Sequence, residues 1–171
     1  GDFGTSASAL AFGGSTPSYT ANTELWNGTN WTEVNNLNQT KLAPGGAGVD
    51  STSGLGFGGY VPPRTANTEL WNGTNWTEVN NLGTAKYSVG GAGIATAALC
   101  SGGTDETNRL AETESWNGTN WTEMNDLNNG RRQLASAGLY TDAIAFGGED
   151  ASTVYLAHTE EWNGVSWAET S

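Results

Sequence analysis

Residues 69–79 read Glu69-Leu70-Trp71-Asn72-Gly73-Thr74-Asn75-Trp76-Thr77-Glu78-Val79, and this stretch decides the fold. In an extended strand Glu69 and Trp71 share one face and Leu70 takes the other. Asn72-Gly73 then supplies a turn, because both residues tolerate positive φ and Asn-Gly is a strong hairpin signal. Trp76-Thr77-Glu78-Val79 returns as the next strand, so two tryptophans bracket one tight hairpin.

The arrangement recurs along the chain. All eight tryptophans fall into the pairs Trp26/Trp31, Trp71/Trp76, Trp116/Trp121 and Trp162/Trp167, whose first members lie 45, 45 and 46 residues apart. Glycine pairs at Gly13-Gly14, Gly58-Gly59, Gly102-Gly103 and Gly147-Gly148 follow the same period, each after a short small-and-apolar run such as Ala9-Leu10-Ala11-Phe12. Gly48, Gly93 and Gly138 form a third marker, with Gly4 in the matching place. A period near 45 residues with several short extended elements per unit signals a propeller or a solenoid.

Each unit reads as four strands. In the second unit, strand a is expected at 41–49, strand b at 54–57, strand c at 67–71 and strand d from Trp76 onward. Helical periodicity is absent. The expected fold is all-β: a β-propeller of four four-stranded antiparallel blades, either a closed four-blade ring or half of a larger oligomeric ring. The chain reads as one domain over 1–171, with blades at about 1–38, 39–83, 84–128 and 129–171.

Composition narrows the function classes. The 171 residues include 6 Lys+Arg against 18 Asp+Glu, for a formal charge of -12, and no basic cluster, which argues against a phosphate-tracking nucleic-acid partner. One cysteine cannot form an internal disulfide, and with one histidine it supplies no zinc set. No apolar run approaches the roughly 18 residues of a membrane span, so no membrane insertion is expected. Eight tryptophans represent too much apolar surface for a disordered chain.

The run Lys41…Gly48…Phe57-Gly58-Gly59…Glu69-Leu70-Trp71…Trp76 resembles the kelch repeat: a basic residue, a small-apolar strand, an apolar strand ending in Gly-Gly, then Glu-x-aromatic and a following Trp. The resemblance covers nearly the whole chain in four copies. It implies a propeller with strand a innermost. The first aromatic is Trp where the family usually has Tyr, and the c–d connection is shorter than the common kelch form. The Trp-Asn-Gly-Thr-Asn-Trp version resembles repeats of environmental and bacteriophage surface or tail proteins.

Comparison among the four copies assigns expected roles. The eight tryptophans are expected to fill the widening wedge between blades. Glu24, Glu69, Glu114 and Glu160 stand two residues before the first Trp of each pair, and Lys41, Lys86 and Arg131 stand seven before the small-residue glycine. In an antiparallel meander both positions fall near one blade edge, so a repeated ion pair is expected, tying strand c to strand a of its own or the next blade. The first unit offers no basic residue for Glu24. Glu33, Glu78, Glu123 and Glu169 are expected to face solvent. No Asp-x-Asp-x-Asp-Gly loop is present, so no metal is expected, and no cofactor.

His158 aligns with Asn22, Asn67 and Glu112, and Cys100 with Ala11, Gly56 and Ala145, so neither belongs to the repeated chemistry. A nucleophile–histidine site would need both unique residues beside a partner, and no enzyme activity is expected. The Asn-x-Thr triplets are read as one repeated hairpin rather than as glycosylation sites. Variation concentrates in the b–c connections, where Tyr19, Arg64, Arg109 and Tyr155 occupy one position seven residues before each first Trp. Loops on a rigid scaffold carry function, so these four are the candidate ligand-binding residues.

The expected function is a non-catalytic binding or adhesion module on an extracellular or virion surface, with carbohydrate the expected ligand class at the b–c face. A structural repeat or assembly protein without a small ligand is the alternative, and a protein-interaction propeller the third. The expected partners are a glycan or a protein, and a further copy of the chain.

Overall fold

The computed structural model describes residues 1–170, which form sixteen strands and no helix. The first sheet contains β1 (Asp2–Gly4), β2 (Ala9–Ser15), β3 (Tyr19–Trp26) and β4 (Trp31–Val34). The second contains β5 (Gly45–Asp50), β6 (Ser53–Phe57), β7 (Thr68–Trp71) and β8 (Trp76–Val79). The third contains β9 (Gly90–Ile94), β10 (Ala97–Ser101), β11 (Thr113–Trp116) and β12 (Trp121–Glu123), and the fourth β13 (Ala135–Leu139), β14 (Asp142–Phe146), β15 (Thr159–Trp162) and β16 (Trp167–Thr170). Each sheet is an antiparallel meander in chain order. The architecture is all-β and propeller-like, with one sheet per sequence repeat; we call the sheets blades 1 to 4.

The c–d hairpin closes as its residues dictate. Trp71 pairs across it with Trp76, and the Asn72 carboxamide oxygen accepts from the backbone N–H of Thr74 and Asn75 at 3.0 and 2.9 Å. Gly73 sits at φ 90°, in the left-handed region where a side chain is disfavoured. Asn27, Asn117 and Asn163 make the same two bonds. Strand a starts later than its sequence pattern suggests, at Gly45 rather than Lys41. Ala43 at φ 48° breaks the extended chain, and Pro44 next to it has no N–H to give a ladder. Lys41 is thereby released from the sheet for another task.

Three apolar cores lie between the four blades. Phe3, Leu10 and Phe12 of blade 1 meet Leu37, Trp71 and Trp76. Ala47, Leu55 and Phe57 of blade 2 meet Ala98, Cys100 and Trp116. Ala92 and Leu99 of blade 3 meet Ala143, Ala145, Trp162 and Trp167. The strand-d tryptophans of blades 2, 3 and 4 therefore lean onto the blade before them. The indole N–H groups of Trp76, Trp121 and Trp167 donate to the hydroxyls of Thr23, Thr68 and Thr113 at 3.0, 2.9 and 3.0 Å. The rings of Trp76 and Trp121 meet Phe12 and Phe57 edge-on at 4.9 and 5.0 Å, the edge-to-face geometry that aromatic quadrupoles favour.

Size is matched across these cores. A methyl group on Gly54 would run into the Phe3 ring, and one on Gly56 into Phe12. Where blades 2 and 3 present Ala47 and Ala92 in the place of Phe3, the facing residues are alanines, Ala98 and Ala143.

The repeated carboxylates are buried within their own blades. Lys41 Nζ lies 3.0 Å from Glu69 Oε1 and Lys86 Nζ 3.0 Å from Glu114 Oε1, while Arg131 contacts Glu160 directly. Each pair joins the segment before strand a to strand c of the same blade. The second carboxylate oxygen takes the incoming chain. Glu69 Oε2 accepts from the N–H and the carboxamide of Asn38 at 2.7 and 2.8 Å, Glu114 Oε2 from the Gly83 N–H at 2.7 Å, and Glu160 Oε2 from Asn128 at 2.8 and 2.7 Å. Burial pulls the Lys41 ammonium below its ordinary value, with Glu69 opposing the change. Glu24, which has no cation, is exposed, as are Glu33, Glu78, Glu123 and Glu169.

Removing one partner of a buried pair strands a charge, at a cost of about 3–5 kcal/mol, whereas replacing both costs far less. Lys86→Met should therefore lower the melting temperature sharply, and the double change Lys86→Met/Glu114→Leu should recover much of the loss. Glu69→Gln should destabilise in the same way and Glu24→Gln should be close to neutral. Thermal unfolding of the four variants checks this; equal effects at Glu24 and Glu69 would exclude a structural role for the pair.

Candidate functional site

The b–c connections leave each blade at the same edge, built by an extra set of backbone bridges. Tyr60, which follows Gly58-Gly59, bridges Leu42 on one side and Arg64 on the other. Thr104 bridges Tyr87 and Arg109, and Glu149 bridges Arg132 and Tyr155. In blade 1 Ser15 pairs with Tyr19 inside the β2–β3 ladder. All four sequence candidates thus occupy equivalent places, but their surroundings differ.

Tyr19 is open and its ring packs at 5.7 Å on Tyr60 of the next blade, nearly perpendicular to it. Tyr60 in turn packs at 5.2 Å on Tyr87. Three phenols thus form a row that crosses blades 1 and 2 and reaches the segment entering blade 3. Arg64 stretches to the next blade as well, its Nε donating to the Ala85 carbonyl at 3.0 Å. The blade 3 loop closes on this row. Asp105 accepts from the N–H groups of Thr107 and Asn108 and from the Asn108 carboxamide, bonds that hold its carboxyl below the ordinary range, with Arg64 adding to the effect. Glu106 is held at φ 78°, a region sparsely used by residues with a side chain. Lost hydration and then the Glu106 carboxylate raise the Tyr60 phenol above its ordinary value, and like any phenol it is a hydrogen-bond donor at neutral pH. Rings, a guanidinium and two carboxylates are together on one edge, a set able to stack on a ligand and hydrogen-bond to it.

Arg109 and Tyr155 belong to other surroundings. Arg109 Nη2 lies 2.8 Å from Glu149 Oε1 of blade 4, and Arg132 Nη2 lies 3.0 and 3.1 Å from the two Glu149 oxygens. Arg109 is therefore a brace between blades 3 and 4. Tyr155 is 80% exposed with no ring beside it. Tyr60, Tyr87, Asp105 and Glu106 were not among the residues the sequence pointed to. Tyr60 and Tyr87 do follow directly on the Gly-Gly and Lys markers, yet only the bridges between linkers and loops show that those two positions adjoin.

The two unique residues take no part in the aromatic row. Cys100 is fully buried and burial pushes its thiol up to about 12, so it is protonated at neutral pH. His158 is partly exposed, with Nδ1 3.9 Å from Glu169. A cleft of about 250 Å³ is lined by β1, β5, β9 and β13, mostly through glycine and alanine, with Phe3 its one ring and Asp2 and Ser136 its polar side chains.

Fold and site together define a propeller-like repeat protein with a variable, aromatic loop edge. No protein-family model matches the chain, and no curated protein matches its sequence.

The Glu149 cluster makes a pH prediction. Hydrogen bonds from Arg109 and then Arg132 hold its carboxyl below the ordinary 4.5. A folded-state value depressed in this way contributes stability that is present above 4.5 and lost as pH falls through the lower value. Glu149→Gln should melt below the unaltered chain at neutral pH, with the gap closing as the pH falls below the ordinary 4.5. Melting curves across that range decide it; a constant gap would show that ionisation of Glu149 plays no part.

Proposed function

We propose that this chain is a kelch-like propeller module whose role is non-catalytic binding or adhesion at an extracellular or virion surface, with carbohydrate as its ligand class. The observation behind this reading is the row Tyr19–Tyr60–Tyr87 beside Arg64, Asp105 and Glu106. Aromatic faces stack on the apolar faces of sugar rings, and a few placed polar groups then fix orientation. Arg64 and the two acids Asp105 and Glu106 supply such groups. The kelch reading rests on the four-fold order of basic residue, Gly-Gly, Glu and paired aromatics. The surface or tail reading rests on the Trp-Asn-Gly-Thr-Asn-Trp hairpin.

A structural assembly role without a small ligand is the second reading, favoured by the exposed apolar faces of blades 1 and 4. A glycan array separates the two. Binding should be seen with the unaltered chain and fall at least about tenfold, the loss of a well-packed aromatic contact, in Tyr60→Ala and Tyr19→Ala, while Tyr155→Ala binds as before. No glycan bound, or binding indifferent to Tyr60, refutes the carbohydrate reading.

A further inference from the structure

The two end blades each leave one face uncovered, and the two faces fit each other. Inner strands pack in the order β1 on β5, β5 on β9 and β9 on β13, with no comparable contact between β13 and β1. The face of blade 4 that has no neighbour carries Ile144 and Phe146, 37% and 41% exposed, in the places held in blade 2 by fully buried Leu55 and Phe57. Blade 1 is bare on its opposite side. Trp31 is 50% exposed, whereas its counterparts Trp76 and Trp167 are 5% and 6% exposed.

We propose that blade 1 of a second copy seats on blade 4 of the first, and blade 1 of the first on blade 4 of the second, so that two chains complete one eight-bladed ring. The molecule already contains this contact three times. Each existing junction sets a strand-d Trp against the strand-c Thr and the end of strand b in the blade before it. The free parts are the missing halves of the same junction: Trp31 on one end, Phe146 and the Thr159 hydroxyl on the other. Thr159 holds the position of Thr23, Thr68 and Thr113, the three hydroxyls that accept from an indole.

Side-chain size agrees. The residue of blade 4 that pairs with Ile144 is Ala137, which corresponds to Ala47 rather than to the bulky Phe3. It would meet Ala9, as Ala47 meets Ala98, and Phe146 would meet Ala11, as Phe57 meets Cys100. Tyr155 fits the same scheme. Tyr19, Arg64 and Arg109 each reach onto the following blade, and Tyr155, which packs on no other blade among the described residues, is 80% exposed. The occupant is a second copy because the surface that matches blade 4 is blade 1 of this chain.

Such a contact is head-to-tail, and head-to-tail contacts close only when the rotation brings the ends together. Inner strands of all four blades line one cleft, which the closed ring would make its central channel. Two four-blade arcs about one axis make eight blades, within the about four to eight of known propellers.

Light scattering on the full chain should give twice 17.8 kDa. Trp31→Ala and Phe146→Asp should each weaken pairing at least about tenfold, as expected for a central aromatic anchor, while strand circular dichroism stays unchanged. Mixing the two variants is the sharper measurement. In the mixed pair, intact Phe146 of the first variant meets intact Trp31 of the second, so one native junction returns and a heterodimer should form where neither variant pairs alone. A monomeric unaltered chain, a dimer indifferent to both substitutions, or a mixture that stays monomeric overturns the proposal. Masses growing past two copies overturn the closed ring.

Discussion

A tryptophan from the outermost strand of one blade, anchored by its N–H on a threonine of the blade before, is the contact on which the rest of the structure depends. Blades of small strands rich in glycine and alanine have little apolar surface of their own. Their stability comes from what they bury against neighbours, and each junction needs one large flat side chain to fill a wedge that widens outward. The Trp76, Trp121 and Trp167 indoles do this, and each N–H finds a hydroxyl, so a large polarised ring is buried without stranding its donor.

The buried glutamates act on a different link, the path of the chain from one blade to the next. A carboxylate has two oxygens and must satisfy both when shut away from water. At Glu69 one faces the Lys41 ammonium and the other receives Asn38. Both partners lie on the segment that leaves blade 1 and enters blade 2, so that segment is pinned at two points seven and four residues ahead of β5. An ion pair of this kind adds little net stability over an apolar replacement. What it contributes is position: only one course of the linker satisfies the charge.

Much of this was legible in the sequence because repetition turns one chain into four observations. The paired tryptophans, the Asn-Gly hairpin and the order of Glu and Lys or Arg recur at a fixed interval, and features recurring in every blade report what every blade needs. The candidate site obeys the opposite rule, since it is a combination of side chains found at one place only. Tyr60 and Tyr87 lie 27 positions apart in the sequence and meet only because a linker and a loop bridge at the blade edge. Arg109 showed the same limit from the other side: its position marked it as a loop residue, but Glu149 of the next blade claims its guanidinium. Strand a began later than its apolar pattern because Ala43 and Pro44 stop the ladder, a backbone effect that hydrophobic patterning does not register.

The matched sizes at the blade junctions also constrain how such a chain can change its length. Repeats are gained and lost as whole units. A unit copied between blades 2 and 4 would find alanine facing alanine on both sides and could be accommodated at once. A copy of blade 3 or 4 inserted directly after blade 1 would bring an alanine methyl against the Phe3 ring, where only Gly54 now leaves room. Blades 1 and 2 are therefore locked together as a pair through steric fit, while the later blades are interchangeable parts, and the one junction closed to such a unit is the one beside Phe3.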